Sequence, residues 1–213
     1  MIIDFTSDLH GCKPLLQGGD LLVICGDLTA TDTEIEYVYC LMWLANQKYR
    51  KKIVIAGNHD NGIRKYFDKF DKDGQITYLQ DSGCEFEGLS IYGSPWTKTF
   101  LGINPRCTAF TVDTEEELAS KFSLIPNDTD ILITHGPPNG IFDQTCRGDL
   151  VGSESLMKKV CEIKPLLHAF GHIHEEGGKQ CWTPWTEKGT RSINCSHVNE
   201  SYQGVHSPIR IIL

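Results

Sequence analysis

The chain has no surplus of positive charge: 20 Lys and Arg stand against 28 Asp and Glu, for a formal net charge of −8. That balance argues against a basic surface that tracks nucleic-acid phosphates, so stable nucleic-acid binding is not expected. Acidic residues gathered around a cation would give the same sign of charge. Long apolar runs are also missing. The longest, "YVYCLMWLA" at 37–45, is about half of the ~20 residues a membrane span needs, so no membrane partner is expected. The nine cysteines (12, 25, 40, 84, 107, 146, 161, 181 and 195) contain no C-x-x-C pair and no dense cluster. Their count is odd, which leaves neither a zinc ribbon nor a disulfide framework. The opening "MIIDFTSD" has no basic leader and no signal peptide is expected. The expectation is a cytoplasmic protein with reduced thiols. No internal repeat, low-complexity tract or linker interrupts the 213 residues, which predicts one domain over 1–213.

What is present is the alternation of an α/β protein. Hydrophobic content of 40% and charged content of 23% are those of an ordinary globular chain. "IIDFT" (2–6), "LLVICG" (21–26) and "KIVIAG" (52–57) are apolar and β-branched and are closed by polar or glycine residues, as buried strands are. Between the last two lies a helical segment that Thr31 or Thr33 can cap, with Ile35, Val38, Met42 and Ala45 expected on its buried face. Strand, helix, strand at this spacing predicts a right-handed parallel crossover. The middle reads as more antiparallel, with "ITYLQ", "CEFEG" and "LSIYGSPW" as strands and Gly88 closing a hairpin. Thr114 and Glu117 form a capping-box pattern. "DILITHGPP" is a further buried strand, and "SESLMKKVCEI" a helix with Leu156, Val160 and Ile163 on one side. "LLHAFGHIH", "RSINCS" and "IRIIL" supply the last strands.

The chemistry sits just beyond the end of each strand. "SDLHG" brings Asp8 and His10, "GDLT" brings Asp27, and "GNHD" brings Asn58, His59 and Asp60. "HGPP" then brings His135, and "GHIH" brings His172 and His174. In an open α/β sheet, ligands bind beyond the carboxyl ends of parallel strands. Five of the eight histidines fall at these five places. Singly, D-x-H or Gly-Asp is ordinary turn chemistry. The ordered set, always at strand ends, is not explained that way. If "GHIH" continues a strand, residues two apart leave on one face, so His172 and His174 would emerge side by side. His168, earlier in the same run, reads as a packed strand residue.

D-x-H, G-D, G-N-H-D, a later His and G-H-x-H in that order resemble the calcineurin-like metallophosphoesterases, over nearly the whole chain from Asp8 to His174. "SDLHGC", "YGSPW", "THGPP" and "LHAFGHIHEEGG" are most similar to the small metallophosphoesterase-domain branch, related to class III cyclic-nucleotide phosphodiesterases. Some members of that branch lack one of the late ligands; this sequence keeps both. The resemblance implies a four-layer αββα sandwich of two mixed sheets flanked by helices, with the metal site at the strand ends. It implies two divalent cations, Mn²⁺ favoured and Fe, Zn²⁺ or Mg²⁺ compatible with such ligands. One metal would take Asp8, His10 and His174; the other would take Asn58, His135 and His172, with Asp27 bridging both. The implied reaction is hydrolysis of a small phosphate ester by a metal-bridging hydroxide. His59 would assist the leaving group and Asp60 would orient His59, though a turn or helix cap suits Asp60 equally.

Three features carry weaker expectations. Arg147 and Arg106 have the guanidinium geometry that meets phosphate. Trp96 and Phe100, in the loop after "YGSP", suit an aromatic wall for a base. Phosphodiesters, cyclic nucleotides above all, are the favoured substrates. The family's protein phosphatases carry an arginine-bearing motif where this chain has "GDLTATD". A phosphomonoesterase and a metal-binding scaffold of low activity are the competing readings; the oligomeric state is left open.

Overall fold

The structure is a computed structural model that describes residues 1–70, 76–99, 107–183 and 189–213. Its strands are β1 (Ile2–Thr6), β2 (Gly19–Cys25), β3 (Tyr49–Ile55), β4 (Ile76–Tyr78), β5 (Ser82–Phe86), β6 (Leu89–Ser94), β7 (Thr97–Lys98), β8 (Thr111–Val112), β9 (Ile131–Thr134), β10 (Leu167–Phe170), β11 (Lys179–Thr183), β12 (Thr190–Asn194) and β13 (Ile209–Ile212). Its helices are α1 (Glu34–Ala45), α2 (Ile63–Phe70), α3 (Glu115–Phe122) and α4 (Glu154–Ile163). One sheet has the order β13-β1-β2-β3-β4, and a second has the order β11-β12-β10-β9-β6-β5. In each the central strands are parallel, and antiparallel neighbours close the edges: β13 on one sheet, β11 and β5 on the other. β7 and β8 pair separately.

Alternation along the strands explains the layers. Ile3, Phe5, Val23 and Ile53 of the first sheet share one core with Ile91, Ile131, Ile133 and Ile193 of the second, so the sheets pack face to face. The opposite faces are also buried, which is why these strands read as nearly continuous apolar runs. Leu22, Ile24 and Val54 pack under α1 and α2, while Tyr92 and Leu132 pack under α3 and α4. The result is the four-layer αββα arrangement.

Two local expectations are corrected. The N-cap of α1 is Thr33, one of the two expected caps, whose N–H and hydroxyl donate to Glu36 at 3.0 and 2.6 Å. Its buried face is Tyr37, Cys40, Leu41 and Leu44, not the face carrying Ile35 and Met42, which are 59% and 55% exposed. The segment is apolar almost all round, so periodicity alone could not choose the side. β4 is parallel to β3 and belongs to the first sheet, whereas the predicted hairpin is β5 and β6 around Gly88. The capping box of Thr114 and Glu117 forms as read, and His168 is a buried strand residue whose Nε2 meets Thr134 Oγ1 at 2.9 Å.

The corrected face of α1 has a measurable consequence. Leu41→Ala should cost about 2–5 kcal/mol in chemical denaturation, as buried leucines do. Met42→Ala should stay within about 0.5 kcal/mol. Equal losses would reverse the assignment of the buried face.

Candidate metal centre

The parallel ladder continues past the strand ends and lays the loops side by side. Asp8 N–H donates to Gly26 O at 2.9 Å, His10 N–H to Asp27 O at 3.0 Å, and Gly171 N–H to His135 O at 2.9 Å. A bridge between Ser7 and Ser196 joins the end of β1 to the end of β12, through Ser7 N–H to Cys195 O and His197 N–H to Ser7 O. The rims of both sheets are therefore tied together beside Asp8.

At that rim the backbone turns sharply. Asp8, His10, Asp27 and His172 all have positive φ, between 43° and 70°. Such conformations cost on the order of 1–3 kcal/mol each and persist where the surroundings impose them. β10 ends at Phe170, and a 3₁₀ turn begins at His174. His172 and His174 therefore reach the site from a turn, not from one face of a strand as the "GHIH" pattern suggested. Their rings also separate. His174 joins Asp8 and His10, and His172 joins Asp27 and His135, each trio having its ligand atoms within 4.8 Å of one another. A third trio, His10, Asp27 and His59, overlaps both.

Each side chain is aimed by a hydrogen bond on its far atom. The Nδ1 nitrogens of His10, His135 and His59 face the carbonyls of Thr29, Cys25 and Ala30 at 3.2, 2.9 and 2.9 Å. A carbonyl only accepts, so Nδ1 carries the proton and Nε2 turns into the site, as in metal-ligating histidines. Asp8 Oδ2 accepts from Ser196 Oγ at 2.7 Å and from His172 N–H at 2.9 Å, which leaves Oδ1 facing His174 Nε2 at 3.3 Å. Asp27 Oδ1 accepts from His59 N–H at 2.9 Å. Its Oδ2 lies 3.4 Å from His135 Nε2 and 3.6 Å from His10 Nε2, between the two clusters. Asn58 Oδ1 meets His135 Nε2 at 2.9 Å.

This donor set fits cations better than it fits itself. His10 Nε2 and His174 Nε2 are 3.2 Å apart; with Nδ1 of His10 protonated, a neutral ring points a lone pair at its neighbour. Burial pushes the Asp8 and Asp27 carboxyls up, but the imidazoles around them outweigh it and hold both well below the usual carboxylate range. Burial pulls His10 down to about 4 and His172 to about 3. For His135, burial is outweighed by the charge and hydrogen bond of Asp27, which push it up to about 10. A proton on His135 thus occupies the position a cation would take, and metal uptake must release it.

Of the two parts expected of it, Asp60 takes the turn. It is fully buried and accepts from the N–H groups of Gly57 (2.9 Å), Leu28 (3.1 Å) and Thr29 (3.1 Å), tying the "GNHD" loop to the "GDLT" loop. His59 is oriented by Ala30 O instead, with Cys107 Sγ 3.3 Å from the same nitrogen. Trp96 is anchored by Nε1–H to Asp81 at 2.7 Å, against Phe110 and under Lys121. Arg147 is exposed in the 143–150 loop. Phe100 and Arg106 lie outside the described residues.

Ser196, Cys107 and Tyr202 escaped the sequence reading. Ser196 had a signal, since it comes just after a parallel strand as Asp8 and Asp27 do; the other two had none. The glycines before Asn58 and His172 were also underread. A Cβ on Gly57 would lie 2.1 Å from Asp27 Oδ1, and one on Gly171 would lie 2.1 Å from Asp8 Oδ2. Both carboxylates press directly on backbone that has no room for a side chain.

Residues 1–176 match the calcineurin-like phosphoesterase family. The chain belongs to that family. It is 34% identical over 236 residues to metallophosphoesterase domain-containing protein 1 of Homo sapiens, covering 98% of this chain and 69% of the human protein. It is 35% identical over 191 residues to a probable rhamnogalacturonate lyase C of Emericella nidulans, covering 83% of this chain but only 18% of that much longer protein. The fold is similar to TT1561 of Thermus thermophilus, with a TM-score of 0.61 at 15% identity over 92% of this chain and 90% of the other. Family membership and the two buried clusters together indicate a metal-dependent phosphoester hydrolase with a dinuclear centre. No helix among the described residues is long and apolar enough to cross a membrane.

Gly171→Ala tests the tight contact with Asp8. The variant should keep its circular dichroism spectrum yet bind less metal per chain by elemental analysis. Wild-type metal content would show that the carboxylate is not held against that backbone.

Proposed function

We propose that this calcineurin-like phosphoesterase is a phosphodiesterase with a dinuclear Mn²⁺ centre, acting on small diesters of the cyclic-nucleotide class. In this reading Asp8, His10 and His174 hold one cation, and Asn58, His135 and His172 hold the other. The observation that carries it is Asp27, whose Oδ2 faces imidazole nitrogens of both clusters, which supports a bridging role. When bound, two divalent cations supply charge neutralisation for the phosphoryl oxygens and a water of lowered pKa.

The chain's own residues do the rest. His59 Nδ1–H is committed to Ala30 O, so Nε2 is the atom that gains and loses a proton. That nitrogen lies 3.9 Å from Asp27 Oδ2, beside the clusters. In the imidazolium form it donates its Nε2 proton to the departing ester oxygen. The diester preference is supported by charge. Among the described residues, the ionic partners of Asp8 and Asp27 are imidazoles, with no lysine or arginine. These carboxylates, among the described residues, thus bring imidazole rather than lysine or arginine charge to a phosphoryl group, which suits a singly charged diester better than a doubly charged monoester.

Mn²⁺-loaded protein should hydrolyse aryl phosphodiesters and 2′,3′- or 3′,5′-cyclic nucleotides faster than aryl monoesters. Activity on monoesters alone would overturn the substrate class, and two bound metals with no activity would favour a scaffold. His59→Ala should retain both metals and lose about 10²–10⁴-fold in rate, most with poor leaving groups. Wild-type turnover of such esters by this variant would remove His59 from the mechanism. Asp27→Ala should lose metal and rate together; two metals per chain in that variant would end the bridging assignment. A chelator should lower the melting temperature and Mn²⁺ should restore it. Binding at a hundredfold excess over Kd stabilises by about 2.7 kcal/mol, so an unchanged melting temperature would count against a resident cation.

A further inference from the structure

The C-terminal loop after β12 places a side chain that the phosphodiesterase reading does not use. Asn199 builds a tight turn: its Oδ1 accepts from Ser201 N–H and Gln203 N–H at 3.0 Å each, and its carbonyl accepts from Tyr202 N–H at 2.9 Å. Tyr202, at φ 58°, is held in the left-handed region at the tip. Its ring lies 4.8 Å from His10 and 5.2 Å from His174 between centroids, nearly perpendicular to both, and 6.4 Å from His59. It therefore covers the Asp8 cluster and borders His59, while its ring contacts do not include His135 or His172. The residue is still 50% exposed. A turn that holds a tyrosine in a costly backbone conformation, against three site histidines and with half its surface uncovered, presents an aromatic wall next to the leaving-group side.

We propose that Tyr202 is a specificity-determining residue, stacking against a planar aromatic group, such as a nucleobase, carried by the phosphate ester. This rests on the phosphodiesterase reading for the location of the phosphoryl group between the clusters. It relocates the aromatic wall expected at Trp96, whose indole is engaged with Asp81, Phe110 and Lys121. Stacking of a base on an aromatic side chain tolerates any base, because every base offers a π-face.

The test uses binding, which needs no turnover. Mn²⁺-loaded wild type, Tyr202→Phe and Tyr202→Ala are titrated calorimetrically with adenosine 5′-monophosphate and with ribose 5-phosphate, which differ by the base alone. Wild type and Tyr202→Phe should prefer the nucleotide. Tyr202→Ala should lose about tenfold in nucleotide affinity with ribose 5-phosphate unchanged, and with wild-type metal content and melting temperature. A wild type without preference for the nucleotide overturns the proposal. So does a Tyr202→Ala variant that weakens both ligands equally, weakens neither, or loses metal, since the last makes Tyr202 a support for the histidines. A protein that passes this test without hydrolysing any diester would refute the phosphodiesterase reading while leaving the aromatic wall standing.

Discussion

The site depends on one constraint: two mixed sheets packed face to face must end their parallel strands at the same rim. The shared core of Ile3, Phe5, Val23, Ile131 and Ile193 fixes how the sheets meet. The bridge between Ser7 and Ser196 then fastens the ends of β1 and β12 together. With that seam closed, the loops after five strands have nowhere to go but over a common cleft. The seam also reaches the chemistry directly, because Ser196 Oγ donates to Asp8 while its neighbours hold Ser7.

Much of the polar rim is spent on aiming rather than on ligation. Backbone carbonyls fix the ring tautomers of His10, His59 and His135, and backbone N–H groups fix the far oxygens of Asp8 and Asp27. Asp60 uses its carboxylate to fasten two ligand-bearing loops to each other. Buried groups satisfied in this way resist rearrangement, so the positive φ angles at Asp8, His10, Asp27 and His172 can be sustained. The Nε2 atoms of His10 and His174, 3.2 Å apart, and the carboxylate oxygens of Asp8 and Asp27 remain turned toward the cleft, a donor set that suits a cation.

The ligand types were legible because they recur after each strand, and "GNHD" and "GHIH" have few other uses in that order. The split of His172 and His174 between clusters came from the family resemblance and agrees with the trios in the fold. The reason given for their proximity, strand alternation, did not hold, since the strand stops at Phe170 and a turn delivers both rings. For Asp60 the reading left two roles open, and the turn is the one its carboxylate takes up, accepting from Gly57 N–H and from the neighbouring loop; adjacency in sequence to His59 could not choose between them. The buried side of α1 was undecidable from a segment apolar nearly all round, until packing against Leu22 and Val54 selected Tyr37, Cys40, Leu41 and Leu44.

By itself, the sequence determined the alternation of strands and helices, the parallel crossovers and the identity of the donors at each strand end. These are local matters of periodicity, turn chemistry and residue type, all written along the chain. Tertiary structure alone decided which donor shares a cluster with which, that Asp27 lies between the two, and that Ser196 and Tyr202 come back from the far end to the same cleft. Those relations join residues as far apart in sequence as Ser196 and Asp8, or Tyr202 and His10. Only the packing of one sheet on the other brings them within hydrogen-bond or ring-contact distance.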